Sequence, residues 1–164
     1  MSFTKLHLYF DDVEVNQEWD SLGRTVTEAD VVNFAGLSGD FNPIHMDHEF
    51  ARTTPFRGPI AHGVLVFAIG SGLALFAPPM RTQAFLSCSQ WFFKKPVFLG
   101  DTIHVHTRIE AKEERARGRR GIITWHRQII NHHGAIVQEG QTQTLVEGRA
   151  ASQGKADDVA DVNA

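Results

Sequence analysis

A chain of 164 residues, 42% apolar and 21% charged, suits one soluble globular domain, with enough length for a sizeable core and too little for two. Its formal charge of −3 argues against a nucleic-acid partner, which needs an excess of Lys and Arg, yet leaves room for a small anion at a locally basic spot. The one cysteine, Cys88, cannot close an intrachain disulfide, so a reducing, cytoplasmic setting is expected; with no cation among its neighbours, its thiol reads as packing.

The N-terminal stretch has too short an apolar run, and acidic residues too early, for a secretory signal. The segment from Val26 to Ala35 reads as a helix, capped by Thr25 or Thr27, with Val31, Phe34 and Ala35 on one face. Two glycines and Asn42-Pro43 are expected to end it before Gly36 and to make 36–43 a loop. A short helical turn is expected over Asp47–Thr53, then a connection over Thr54–Pro59. From Gly63 to Ala77 nearly every residue is apolar or small, which predicts a helix surrounded by protein on all sides. Gly70-Ser71-Gly72 interrupts this stretch, which falls short of the ~20 residues that a membrane span needs, so no membrane partner is expected.

Strands follow. Phe85–Phe93 is rich in aromatic and small residues, and Ile103, Val105, Thr107 and Ile109 alternate within 102–109. Ile123, Trp125 and Ile129 are in phase within 121–130, Asn131–Gly134 is a turn, and 135–146 is a final strand. Their connections are too short for crossover helices, so they should pair antiparallel. The expectation is an α+β roll, an antiparallel sheet wrapped around a long buried central helix, in one domain spanning 1–148. The polar tail, 149–164, is expected to be disordered.

Chemistry concentrates in the segment FAGLSGDFNPIHMDHEFA, from Phe34 to Ala51. It places Asp40 and His45 on one loop stiffened by Pro43, a minimal general acid/base pair held without much loop entropy. Asn42 is read as orienting that loop through side-chain bonds to backbone. Gly58-Pro59-Ile60-Ala61-His62-Gly63 then leads into the apolar helix, whose first amides lack internal partners. The amide of Gly63 is thereby a candidate oxyanion donor for a carbonyl that gains negative charge. His45 and His48 are not at i, i+4 and no Cys assists, so no metal site is expected.

The run F-A-G-L-S-G-D-F-N-P-I-H, with Ala51 after it, resembles the signature of R-specific enoyl-CoA hydratases and MaoC-like dehydratases. The runs I-A-H-G-V-L and K-K-P-V-F-L-G-D resemble that family's further blocks, and the likeness extends from about Trp19 to Val146. It implies a hot-dog fold, homodimers or dimer-based oligomers, and acyl-CoA thioester substrates. By the same likeness Asp40 and His45 are the catalytic pair, Gly63 the oxyanion donor, and Ser71 a substrate-site serine. His62 is a further candidate for touching ligand. Arg115, Arg117, Arg119 and Arg120 surround Gly118 as either a solvated hairpin tip or a grip on coenzyme A phosphates, with Lys94 and Lys95 as a second basic candidate. Gly70 and Gly72 suggest a close neighbour, whether a backbone, a pantetheine arm or a helix of a second chain.

The activity these readings imply is reversible hydration of a trans-2-enoyl-CoA to the 3R-hydroxyacyl-CoA, with no cofactor beyond the coenzyme A of the substrate. The rivals are a hot-dog thioesterase and a catalytically silent acyl-CoA-binding subunit.

Overall fold

A computed structural model describes residues 7–151. A 3-10 turn at Phe10–Asp12 precedes short strands β1 (Glu18–Asp20) and β2 (Arg24–Thr25). Helices α1 (Glu28–Ser38), α2 (Pro43–Met46), α3 (His48–Thr53) and α4 (Gly63–Leu73) follow, α4 being extended by a 3-10 turn at Ala74–Phe76. The chain closes with β3 (Thr82–Phe93), β4 (Thr102–Arg115), β5 (Arg120–Asn131) and β6 (Ile136–Glu147). All the pairings are antiparallel, in the order β1-β4-β5-β6-β3, with β2 also on β4.

The alternation in the sequence sets which face is buried. Ile103, Val105, Thr107 and Ile109 of β4, and Ile123, Trp125 and Ile129 of β5, turn to one side and are almost wholly enclosed. α4 lies on this inner face, with Leu65, Val66 and Ile69 in one apolar cluster with Val105, Ile129 and Val137. A second cluster joins Phe10 and Val13 to Ile109, Ile123, Trp125 and Val146. Gly70 is what lets the helix sit so close: a Cβ there would fall 2.5 Å from Ile129 Cδ1. Gly72 meets nothing within 4 Å, so of the two glycines only Gly70 is explained inside the chain.

Several expectations are corrected. α1 does not stop before Gly36 but runs to Ser38 and ends on Gly39, whose φ of 78° makes the left-handed cap and whose N–H donates to Ala35 O. One glycine costs a helix only about 1 kcal/mol against Ala, too little to break one anchored by buried Val31 and Ala35. Thr27, not Thr25, caps it, accepting from the Asp30 amide while Asp30 accepts from the Thr27 amide. Pro43, expected in a loop, starts α2 at its first turn, where a missing N–H costs nothing.

Within one chain α4 is not covered on all sides, since Val64 is 59% and Phe76 is 79% exposed. β3, an edge strand, also leaves Phe85, Leu86, Phe92 and Phe93 exposed. Cys88 lies exposed on the same strand, so its thiol is not a packing group of this chain, although local burial pushes its pKa up. At the C-terminus the expected tail begins too early. Arg149 donates from its backbone to Asp11 and from its guanidinium to Asp12. The remainder of that tail, 152–164, lies outside the described residues.

Candidate active site

The site forms where the loop after α1, the helix α2 and the start of α4 meet. Gly39 turns the chain out of α1, and Asp40 then accepts from the Asn42 amide through Oδ1. The Asn42 side chain accepts in turn from Ile44 N, so Asn42 acts as the cap that fixes the loop's exit. Asp40 keeps its carboxyl half exposed, with Oδ2 4.0 Å from His45 Nε2.

His45 projects from α2 with its ring nearly enclosed. Its Nδ1 lies 2.7 Å from Ile60 O, a carbonyl that can only accept, so Nδ1 donates there and Nε2 is left facing Asp40. His62 stacks beneath it, ring centroids 3.9 Å apart, and is 2% exposed. Its Nε2 donates to Asp40 O over 2.9 Å, so the structure places His62 behind the pair as a clamp on the Asp40 backbone.

The ligand atoms of Asp40, His45 and His62 lie within 4.8 Å of one another, close enough to gather round a cation. One nitrogen of each imidazole is already engaged with a backbone carbonyl, and the remaining His62 Nδ1 is buried.

Beside the pair opens a cavity of about 340 Å³, the size of a small-molecule site, whose lining includes His45, Gly63, Val66, Phe93, Lys94 and Gln138. Gly63 is the first residue of α4, where amides point outward unbonded and the positive end of the helix dipole lies. Phe93 packs on it so closely that a Cβ would come within 2.8 Å of the ring. Gln138, on the inner face of β6, donates to Gly63 O over 2.8 Å and accepts from Trp91 Nε1 over 3.0 Å. The sequence reading missed Gln138. Its signal was a polar side chain at an inward position of β6, two residues before Gly140. Lys94 lines the cavity mouth and is ion-paired with Glu139, whose carboxyl is held below its usual range by bonds from Lys94 and then Gln128.

Three expected substrate residues are not brought here within the chain. Ser71 is two turns further along α4, its Oγ donating to Phe67 O, and it lines a different cavity. Arg117 and Arg119 sit on the β4–β5 turn. The cavity end of β5, near Ile129, is about 30 Å from Arg120 at the rise of a strand, so inside one chain neither arginine reaches the pair.

A MaoC-like domain model matches residues 12–127, well over half of the chain. The chain belongs to the MaoC-like family. This MaoC-like chain is 36% identical over 129 residues to an (R)-specific enoyl-CoA hydratase of Aeromonas caviae, covering 79% of this chain and 92% of that protein. It is 36% identical over 113 residues to a 3-hydroxybutyryl-CoA dehydratase of Methylorubrum extorquens, covering 68% and 71%. A conserved protein of Mycobacterium tuberculosis with a double hotdog fold superposes with a TM-score of 0.76 at 21% identity, over 87% of this chain and 44% of that one. The architecture is thus the hot-dog α+β fold, and the chain is an enzyme of the hydratase/dehydratase, or hydro-lyase, kind. Among the described residues no helix is long and apolar enough to cross a membrane.

Proposed function

We propose that this enzyme adds water reversibly across the double bond of a trans-2-enoyl-CoA and yields the 3R-hydroxyacyl-CoA. The observation that carries this reading is the juxtaposition of three groups: His45 and the unbonded amide of Gly63 at one cavity, with the Asp40 carboxylate 4.0 Å from His45 Nε2. A water held between Asp40 and His45 gives up a proton as its oxygen bonds to C3. The π electrons move toward the thioester oxygen, where the Gly63 amide and the helix dipole receive the charge. The enolate then collapses and takes a proton at C2 from the same pair, so oxygen and hydrogen arrive from one side. No step needs a metal, a flavin or a nicotinamide, and the coenzyme A of the substrate is the only cofactor in this scheme. Lys94 and Lys95 line this cavity, and their positive charge supports their meeting coenzyme A in the same chain.

The exposed edge of β3 supports a homodimer as the working form. A strand of this length with unpaired backbone and exposed Phe85, Leu86, Phe92 and Phe93 is a liability unless something covers it. A second chain would also bring its own Arg117 and Arg119. The unpaired Cys88 thiol suits a reducing, cytoplasmic setting.

The test is an assay on trans-2-enoyl-CoAs that follows the enoyl absorbance and free thiol together. The expected result is loss of the chromophore, formation of the 3R alcohol and no thiol release. Thiol release with the chromophore intact would establish the thioesterase instead, and saturable binding with neither change would leave a silent acyl-CoA binder.

A further inference from the structure

Ser71 opens onto a second cavity of about 90 Å³, enclosed between the far half of α4 and the sheet, with Leu75, Met80, Phe85, Trp125 and Arg127 also in its wall. Room for roughly three waters or one small end group is available there. Its walls are mostly apolar, with the hydroxyls of Ser71, Thr82 and Thr144 and one charged group, Arg127. Arg127 rises from the middle of β5, is 9% exposed, and lays its guanidinium over Trp125, 5.6 Å from the ring centroid.

Among the described residues nothing accepts a hydrogen bond from that guanidinium, and its Nε is buried without a partner. Thr107, directly opposite Arg127 in register, and Thr142, opposite Trp125, likewise bury hydroxyls that meet no partner. The row Thr107–Arg127–Gly140 therefore runs as a polar band across the inner face, between the cluster around Val105 and Ile129 and the cluster around Ile109 and Trp125.

A buried ionised group without a counter-charge strongly disfavours the fold, and an apolar side chain of like volume would sit there at less cost. Burial lowers the Arg127 pKa to about 10, which still leaves it charged at neutral pH. A permanent cation in the wall of a mostly apolar cavity is suited to an anion that arrives from outside the chain. Its planar fork matches a carboxylate in bidentate geometry, and a carboxylate is a small anion that a hydrocarbon chain can carry.

We infer that the second cavity receives the far end of the acyl chain, and that this end is a carboxylate bound by Arg127. The substrate class would then be the mono-coenzyme A thioester of a dicarboxylic acid. The inference rests on the enoyl-CoA reading of the Asp40–His45 site. From Gly63 to Ser71 the helix advances ~12 Å. With carbon–carbon bonds of ~1.5 Å in a staggered chain, a thioester of about eight to ten carbons reaches from the Gly63 amide to Arg127. Along the chain in α4 and β3, Phe67 and Trp91 lie between residues that line the two cavities, the Phe67 ring edge-on to Trp91 with centroids 4.7 Å apart.

The deciding experiment is calorimetric binding of saturated thioesters, which needs no turnover. Octanoyl- and decanoyl-CoA would be compared with the mono-CoA thioesters of the eight- and ten-carbon dicarboxylic acids. The wild-type chain is expected to favour a dicarboxylic thioester by on the order of tenfold to a hundredfold, the scale of a charged hydrogen-bonded contact. R127M should erase that preference while binding the alkyl thioester at least as well, and R127K should keep part of it. If R127M does not fold, the wild-type preference and R127K still decide. Equal or weaker binding of both dicarboxylic thioesters by the wild-type chain overturns the inference and leaves the hydratase reading standing. R127M that melts higher and discriminates as before overturns it too, since Arg127 would then be buried without a ligand role. Failure of every thioester to bind removes the enoyl-CoA reading and this inference together.

Discussion

At the start of α4, His45 Nδ1, His62 Nε2 and both ends of the Gln138 amide each meet a protein atom, His62 Nδ1 being the one buried exception there among the described residues. Toward the end of the same helix, Arg127 Nε and the hydroxyls of Thr107 and Thr142 meet none. The helix thus separates two kinds of polar site. In the first, the protein's own bonds have fixed tautomer and orientation, so the groups left over, His45 Nε2, the Asp40 carboxylate and the Gly63 amide, are aimed before a ligand arrives. In the second, the polar groups have been buried without being satisfied, and the cost of burial remains to be offset by whatever binds.

The largest break in that contrast should come from Asp40→Asn. The amide is nearly isosteric but cannot take a proton, so turnover should fall by roughly 10²–10⁴-fold. Binding of a saturated thioester should stay near wild type, because the far cavity is untouched. Steady-state rates beside calorimetry on one preparation check this; near-normal hydration would remove Asp40 from the chemistry.

Gln138→Leu tests the preorganisation itself. It frees Gly63 O and Trp91 Nε1 together and should cost about 1–3 kcal/mol of stability, with kcat falling more than KM rises. An unchanged kcat in a folded variant would mean that the Gly63 amide is held without Gln138.

The two glycines in the middle of α4 give a contrast of sign. Gly70→Ala drives a Cβ into Ile129 and should destabilise by about 1–3 kcal/mol. Gly72→Ala enters open space and should stabilise by up to about 1 kcal/mol through helix propensity. Chemical denaturation reads both, and a loss at Gly72 would place a second chain against that face.

The smallest effect concerns the cap that launches α1 toward Asp40. Thr27→Ala should cost about 1 kcal/mol. Asp30 answers the Thr27 amide, and that bond, more than the Thr27 hydroxyl or Arg24, draws its carboxyl below the usual 3.8 despite the opposing effect of burial. A carboxyl lowered in the folded state stabilises above its unfolded value and stops doing so as acid protonates it. Wild type should therefore lose this increment as pH falls below about 4, and Asp30→Asn should flatten that part of the acid denaturation curve.

Much of this was legible in the residues. Alternation in 102–109 and 121–130 identified the inner face because strand periodicity is a local property, and the Asp40–His45 loop was recognisable because its chemistry is compressed into a few adjacent positions. What escaped depends on the third dimension. Phe10, Val13 and Trp19 pack on Ile109 and Trp125 from far away in sequence, and no periodicity announces them. Ser71 was expected at the substrate site, and two turns of helix carry it away from the catalytic pair to the other cavity. Arg127 stood in phase with Ile123, Trp125 and Ile129 and was passed over, because a charged residue at an inward position reads as noise in an apolar pattern until the fold shows it enclosed.

The polar band of Thr107, Arg127 and Gly140 has a consequence for how the protein comes apart. Two apolar clusters that share strands but meet across that band are two potential cooperative units. Opening one need not open the other, and amides near Ile123 and Val146 can exchange at a different free energy from those near Ile129 and Val137. A ligand that spans the band would weld the two units, so its occupancy should register as a convergence of those exchange energies, over and above a rise in melting temperature.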